Sequence, residues 1–105
     1  MRYVKIEVYA PKECLEAIRQ AVHDQDADRE GNYDMVCSYH PVCGSWRPLQ
    51  GSTPYLGTEG QLCVAEEYKM EFRCEEARRY RVVEAIRQAH PYEEPVIHCL
   101  PLMDI

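Results

Sequence analysis

The hexapeptide Glu-Ala-Ile-Arg-Gln-Ala occupies residues 16–21 and occurs again, letter for letter, at residues 84–89. Before each copy, apolar and polar residues alternate, as YVKIEVY at residues 3–9 and as YKMEFRC at residues 68–74. Alternation predicts a half-buried strand, and apolar residues three and four positions apart predict an amphipathic helix. We therefore expect two strand–helix units with a long connection between them.

Two further strands are predicted, one after each unit. Residues 33–40 alternate after Gly31, and residues 96–100 form a short apolar run after Pro95. From Pro41 to about Gln61 the sequence has no period and is rich in turn residues, so this segment is predicted to lack regular structure. Long irregular connections in small domains are usually functional.

The predicted order of elements is βαββαβ. With right-handed crossovers, this order gives an α+β ferredoxin-like sandwich, in which two helices cover one face of a four-stranded antiparallel sheet of order 4-1-3-2. We expect residues 1–105 to form a single domain, because the chain is long enough for one modest core. The face without helices would carry charged side chains, which are those of Lys5, Glu7, Lys69, Glu71 and Arg73.

Charge and hydropathy exclude several classes of partner. The net charge of −6 repels phosphate backbones, so we expect no nucleic-acid partner. No apolar run is long enough to span a bilayer, and the first residues lack the apolar segment of a secretion signal. We therefore expect a cytoplasmic protein without a membrane partner.

Six cysteines are present, but no two of them form a C-x-x-C pair. Zinc sites normally use close-spaced pairs of ligands, and only Cys37 and Cys43 are near each other. In a reducing compartment we expect six free thiols that behave as small apolar side chains.

Three segments carry a family resemblance. They are Gly31-Asn32-Tyr33, the run from Gly44 to Pro48 that continues to Gly51, Ser52 and Pro54, and the hexapeptide His90-Pro91-Tyr92-Glu93-Glu94-Pro95. In this order on a βαββαβ frame, they resemble the PII/CutA-like domain of the YqfO-type proteins. In the longer members, this domain is inserted into a dinuclear-metal, GTP-cyclohydrolase-type-2-like hexamer. The match covers nearly the whole chain. It departs from the family pattern at Asp26 and Asp28, where small glycine-rich sequence is usual, at Val42, where glycine is usual, and at Trp46, where phenylalanine is usual.

The resemblance implies a binding function more than a reaction. The dinuclear metal ligands of the long proteins lie in flanking domains, so that centre is not carried over, and no cofactor is indicated. PII and CutA relatives form trimers with small ligands or metal ions between subunits. The resemblance therefore implies a homo-oligomer, a trimer before a dimer. The ligand-binding residues it suggests are Asn32, Tyr33, Trp46, Arg47, His90, Tyr92, Glu93 and Glu94.

The two outer motifs, residues 31–33 and 90–95, each precede a predicted edge strand at opposite sides of the sheet. Three strand spacings, or about 14 Å, would separate them in one chain. Because open edges are templates for pairing, we expect them to converge between neighbouring subunits, with the residue 41–61 loop arching over the seam.

Three functions remain open from the sequence. The favoured one is a non-catalytic binding or regulatory module of unknown ligand, with Trp46 and Tyr55 closing over it. The alternative is a divalent or soft metal-ion-binding protein, with ligands from Cys37, His40 and Cys43 or from His90, Glu93 and Glu94. An enzyme is least favoured, because Gly51-Ser52-Thr53 lacks the lysine of a phosphate loop and no third group orients a Cys37–His40 pair.

Overall fold

Six regular elements follow one another in the predicted order in the computed structural model, which describes residues 2–105. They are β1 Tyr3–Ala10, α1 Leu15–Asp24, β2 Ser38–Trp46, β3 Cys63–Glu75, α2 Arg79–Ala89 and β4 Ile97–Pro101. A single 3₁₀ turn leads into each helix, Lys12–Cys14 before α1 and Glu76–Arg78 before α2. The two strand–helix units therefore share their connection as well as their repeated hexapeptide.

The sheet has the order β2-β3-β1-β4, and every neighbouring pair is antiparallel. This confirms the ferredoxin-like fold and the predicted strand order, read from the opposite edge. β1 and β3 are central, while β2 and β4 are the two edges. Because β2 pairs only with β3 and β4 only with β1, each edge strand keeps one unpaired side among the described residues.

The core lies between the helices and one face of the sheet. Ile18 and Ile86, which hold the same place in the two copies of the hexapeptide, are both fully buried, as are Ile6 and Met70 on the central strands. Burial of four such side chains contributes about 2 kcal/mol each relative to exposure. Both helices are short, and between residues 2 and 105 none is long and apolar enough to cross a membrane.

The second strand is displaced from its predicted position. It was expected at residues 33–40 but runs over Ser38–Trp46, so the prediction that residues 41–46 lack regular structure is wrong. Met35 has a φ of +53°, which ends any extended run before Ser38. Pro41 is accommodated because β2 is an edge strand, where a residue without an N–H need not break the ladder.

The third strand is longer than expected and carries the connection outward. β3 was expected to start at Tyr68, but it starts at Cys63. The pairing of β1 with β3 ends at Tyr68, so residues 63–67 pair only with β2. The β2–β3 hairpin therefore projects past the end of β1. The irregular connection shrinks to residues 47–62, which we call the hairpin loop.

The face of the sheet away from the helices carries the predicted charged cluster. Lys5 Nζ lies 2.8 Å from Glu71 Oε2 and 3.1 Å from Glu7 Oε2, and Lys69 Nζ lies 3.2 Å from the same Glu7 oxygen. Directly opposite residues carry like charges, since Lys5 faces Arg73 and Glu7 faces Glu71, so the stabilising contacts between opposite charges are diagonal ones.

The two ends of the fold lie side by side. Val4 pairs with Pro101, and the backbone N–H of Leu102 donates to the carbonyl of Tyr3 at 3.1 Å. β4 was expected at residues 96–100 and is found one residue later, at Ile97–Pro101.

Candidate ligand-binding site

The hairpin loop is held in a defined shape by its own turns. The N–H of Ser52 donates to the carbonyl of Leu49 at 3.0 Å, and the N–H of Gly60 donates to that of Pro48 at 2.8 Å. Trp46 Nε1 donates across the loop to the carbonyl of Leu56 at 3.0 Å. These bonds fold the loop back toward the strand end from which it came.

Gly57 is required at its position for two reasons. Its φ of +114° is a conformation that side chains disfavour, and an added Cβ would lie 3.4 Å from Trp46 Nε1 and 3.3 Å from a ring carbon of Pro48. A glycine here therefore allows the Trp46 indole to lie directly against the loop backbone.

The second wall of the site is the segment from His90 to Val96, which joins α2 to β4. His90 Nδ1 accepts from the backbone N–H of Tyr92 at 3.1 Å, so Nε2 carries the proton and donates to the carbonyl of Tyr9 at 2.6 Å. Burial is the main cause that lowers the pKa of His90 below its ordinary value of 6.5. His90 is thus a neutral imidazole whose two nitrogens both hold backbone groups.

The loop and this segment meet within one chain. The backbone N–H of Thr53 donates to Glu93 Oε2 at 2.9 Å, which links positions 40 residues apart. The ring of Tyr92 lies between those of Trp46 and Tyr55, 5.8 Å from each and tilted by 50° and 47°. Tilted aromatic pairs at such distances are favourable, so the three rings join the loop to the segment.

Between the two walls lies a pocket of about 540 Å³, at the end of the sheet where β1 ends and β4 begins. Pockets of this size suit small organic ligands. Its aromatic and carboxylate lining is formed by Tyr9, Trp46, Tyr55, Tyr92, Glu67, Glu93 and Glu94. Its apolar remainder includes Pro48, Leu49, Pro54, Leu56 and Val96.

Glu67 is a buried carboxylate at this pocket, with 7% of its surface exposed. Tyr92 donates its hydroxyl proton to Glu67 Oε2 at 3.0 Å. Burial, followed by this carboxylate, raises the pKa of Tyr92, so the phenol keeps its proton. The other oxygen, Oε1, lies over the backbone of Gly44, where any Cβ would collide with it. A side chain at position 44 would therefore have to displace the flexible end of the Glu67 side chain.

The predicted site residues fall into two groups. Five of them, Trp46, Arg47, Tyr92, Glu93 and Glu94, line the pocket, and His90 supports its wall without lining it. The remaining two, Asn32 and Tyr33, lie elsewhere, in the turn closed by the Glu30–Tyr33 bridge. Because β2 and β4 run in opposite directions, this turn and residues 90–95 lie at opposite ends of the sheet.

Sequence reasoning missed three pocket residues with polar groups, Tyr9, Glu67 and His98. Tyr9 and His98 lie at facing ends of β1 and β4, which only the register brings together. Glu67 shares its alternation with Lys69 and Glu71, and nothing in the period separates a pocket carboxylate from exposed ones. The one local signal is Gly44, a glycine inside a strand, which marks close approach of another group.

The proposed metal ligands do not cluster. Within residues 2–105, no group of three or more His, Cys, Asp or Glu side chains is close enough to hold a metal ion. All six cysteines are free.

Comparison with known proteins identifies the family. The family model described as CutA1 divalent ion tolerance protein matches residues 32–105. The chain belongs to the CutA1 family. Its match extends over β2, β3, α2 and β4 and therefore over both walls of the pocket.

Longer relatives confirm the resemblance to YqfO-type proteins. A GTP cyclohydrolase 1 type 2 homolog of Halalkalibacterium halodurans is 33% identical over 98 residues, which are 93% of this chain and 26% of that protein. A Bacillus cereus protein related to NIF3 superposes with a TM-score of 0.84 at 29% identity, over 98% of this chain and 26% of that one. This CutA1-family chain thus spans about a quarter of the length of such relatives.

A shorter relative shows the same fold. The periplasmic divalent cation tolerance protein CutA from Archaeoglobus fulgidus superposes with a TM-score of 0.73 over 97% of this chain and 85% of that one. At 17% identity, this likeness concerns the fold alone.

Proposed function

We propose that this CutA1-family chain is a non-catalytic binding module and that the pocket between the hairpin loop and residues 90–96 is its ligand site. The observation that carries the proposal is the closure of this pocket by specific contacts. Thr53, Trp46 and Tyr55 all reach the residue 90–96 segment or its neighbours. A loop that only connected two strands would need no buried carboxylate beside it. Here the carboxylate of Glu67 is buried and lies against the backbone of Gly44.

We propose no catalytic role, because the polar side chains near the pocket already form hydrogen bonds within the chain. His90 uses both ring nitrogens for backbone hydrogen bonds, so it has no free nitrogen with which to act as a base or a metal ligand. Tyr92 holds its proton toward Glu67. The polar groups best placed to react are thus engaged in support of the site.

The test is a ligand screen read at the chain's single tryptophan. We expect the ¹H–¹⁵N signal of the Trp46 indole to shift with at least one class among nucleotides, organic acids, organic amines and divalent ions. Signals of the Glu30–Tyr33 turn, at the far end of the sheet, provide an internal control and should not move. If no class shifts the indole signal, or if the shifts map to the turn alone, the proposal fails.

We also propose that residues 1–105 act as one domain and assemble as a homo-oligomer, a trimer before a dimer. The unpaired sides of β2 and β4 support this, together with half-exposed apolar residues beside β4 at Val96 and Leu102. If β2 pairs in an antiparallel manner with β4 of a neighbouring subunit, the end of β2 at Trp46 lies near the start of that β4. The turn at residues 31–33 then lies away from it. The six free thiols support our proposal of a cytoplasmic location.

A further inference from the structure

Of the aromatic rings that line the pocket, those of Trp46, Tyr55 and Tyr92 have polar atoms that already form hydrogen bonds. Trp46 Nε1 donates to the carbonyl of Leu56. Tyr92 donates to Glu67, and the hydroxyl of Tyr55 donates to Glu13 Oε1 at 3.3 Å. A ligand would therefore meet mainly the carbon surface of these rings, and the faces of aromatic rings attract cations.

The charged groups around the pocket also favour a cation as the ligand. Its lining holds three carboxylates, those of Glu67, Glu93 and Glu94, against one guanidinium, that of Arg47. Glu67 is more than nine-tenths buried, yet across residues 2–105 it forms no salt bridge, and it accepts a hydrogen bond from the neutral hydroxyl of Tyr92. Burying a carboxylate costs free energy unless a cation pairs with it.

From these two observations, we propose that the pocket binds an organic ammonium ion, with its charged head between the aromatic rings and Glu67. The inference deepens the proposed function and rests on it. The apolar surface of Pro48, Leu49, Pro54 and Leu56 leaves room for an attached carbon chain, since the pocket of about 540 Å³ exceeds a bare ammonium group in size. Three carboxylates would repel a phosphate or a polycarboxylate.

The experiment uses two molecules that differ only in charge. Choline and its neutral isostere 3,3-dimethylbutan-1-ol have the same shape, with a carbon atom replacing the quaternary nitrogen. Fluorescence of Trp46, the single tryptophan, reports binding directly. We expect choline to change the emission with a saturable curve, and the isostere to bind at least about tenfold more weakly, as expected when cation–π and carboxylate contacts are lost. Spermidine tests whether a primary ammonium is also accepted.

A pair of isosteric variants tests the role of the carboxylate. Glu67→Gln keeps an acceptor for Tyr92 but removes the charge, and we expect choline affinity to fall by about tenfold. The matched control is Glu66→Gln, which changes the net charge equally at an exposed position outside the pocket, and it should bind as the unaltered chain does. Glu93→Gln, on the exposed rim, provides a second test should the Glu67 variant fold poorly.

The outcomes separate the two proposals. Equal affinity for choline and its isostere, or equal loss in the Glu67 and Glu66 variants, overturns the cation inference. If citrate or a nucleotide shifts Trp46 while neither choline nor spermidine does, the pocket remains a ligand site and the cation inference is wrong. If a divalent ion alone shifts it, the metal-binding alternative replaces the inference.

Discussion

His90 illustrates how much one side chain can fix at the residue scale. Its two nitrogens hold the backbone of Tyr9 and that of Tyr92, which ties the end of β1 to the start of the segment bearing Glu93. A protonated imidazole has no acceptor, so charging His90 would break the bond from the Tyr92 N–H. The neutral state is therefore part of the native structure.

Stability should consequently depend on pH through His90. Its folded pKa lies below the ordinary 6.5, so the unfolded chain takes up a proton first as the pH falls, and the contribution of His90 is present above pH 6.5 and lost below it. His23 acts in the opposite sense, because the carboxylate of Asp28 raises its pKa. We expect the stability difference between the unaltered chain and His90→Gln to shrink from pH 7.5 to pH 5.5 in urea unfolding.

Comparing the two proteins cancels the effect of His23, which both retain. A difference that stays constant across this range would show that His90 titrates normally. Direct NMR titration of the imidazole signals gives a second measurement, in which the signal of His90 should titrate below that of His23.

Gly44 makes a second prediction at this scale. In Gly44→Ala the new methyl group would displace the carboxylate of Glu67 and weaken its bond from Tyr92. We expect a loss of about 1 kcal/mol in the free energy of unfolding, because the hydrogen bond is weakened and only the flexible end of the Glu67 side chain has to move. The same change made in a Glu67→Ala background should cost much less, because the collision is gone. Equal costs in the two backgrounds would contradict this account.

At the scale of elements, the hairpin loop depends on one glycine more than on the others. Gly51 and Gly57 both have positive φ angles, but an added Cβ meets nothing within 4 Å at Gly51, whereas at Gly57 it meets Trp46 and Pro48. We expect both alanine variants to lose about 1 kcal/mol of stability from backbone strain. Only Gly57→Ala should shift the Trp46 indole signal and its fluorescence; a similar shift in Gly51→Ala would show that the loop moves as a whole.

The helices and central strands were predictable from the sequence because their periods are regular and their core is shared. The repeated hexapeptide places Ile18 and Ile86 in the core, and the alternation in β1 and β3 is undisturbed. β2 was misplaced because Pro41 and Gly44 interrupt its pattern; its extended shape is imposed by pairing with β3, which no local pattern contains. Glu67 was missed for the same reason, since its hydrogen bond with Tyr92 joins residues that are 25 positions apart in the chain.

At the scale of the whole molecule, one carboxylate joins three strands. Glu7 on β1 is 8% exposed and contacts Lys5, Lys69 of β3 and, at 3.4 Å, His98 of β4. The Lys5 ammonium is the main cause that lowers the pKa of Glu7 from 4.5 to about 2. The stabilising contribution of Glu7 is therefore present above pH 4.5 and lost as the pH falls toward 2.

We expect Glu7→Gln to lower stability at pH 7 by about 1 kcal/mol, because Glu7 is buried but its ammonium partners Lys5 and Lys69 stay partly exposed to water. The deficit should shrink between pH 4.5 and pH 2.5 and also in high salt, as measured by chemical unfolding. Glu59→Gln, an exposed change in the hairpin loop, serves as the control and should show neither effect. A deficit that is independent of pH would point to packing instead of charge.

The two open edges of the sheet lead to a prediction of mass. With a chain of 12.3 kDa, light scattering at micromolar concentration should give about three times that value if the edges close a ring. Twice that value would favour the dimer. A monomer that still binds a pocket ligand would show that assembly is unnecessary for binding.

The closeness of the two ends of the fold has a consequence for protein architecture. Because Tyr3 and Leu102 share a hydrogen bond, a host chain could leave its own path, build this fold and return to almost the same point. Such grafting adds little strain to a host loop, and surface loops accept it best. Residues 2–103 inserted into an exposed turn of an unrelated protein should therefore fold there, with their pocket formed, without lowering the stability of the host.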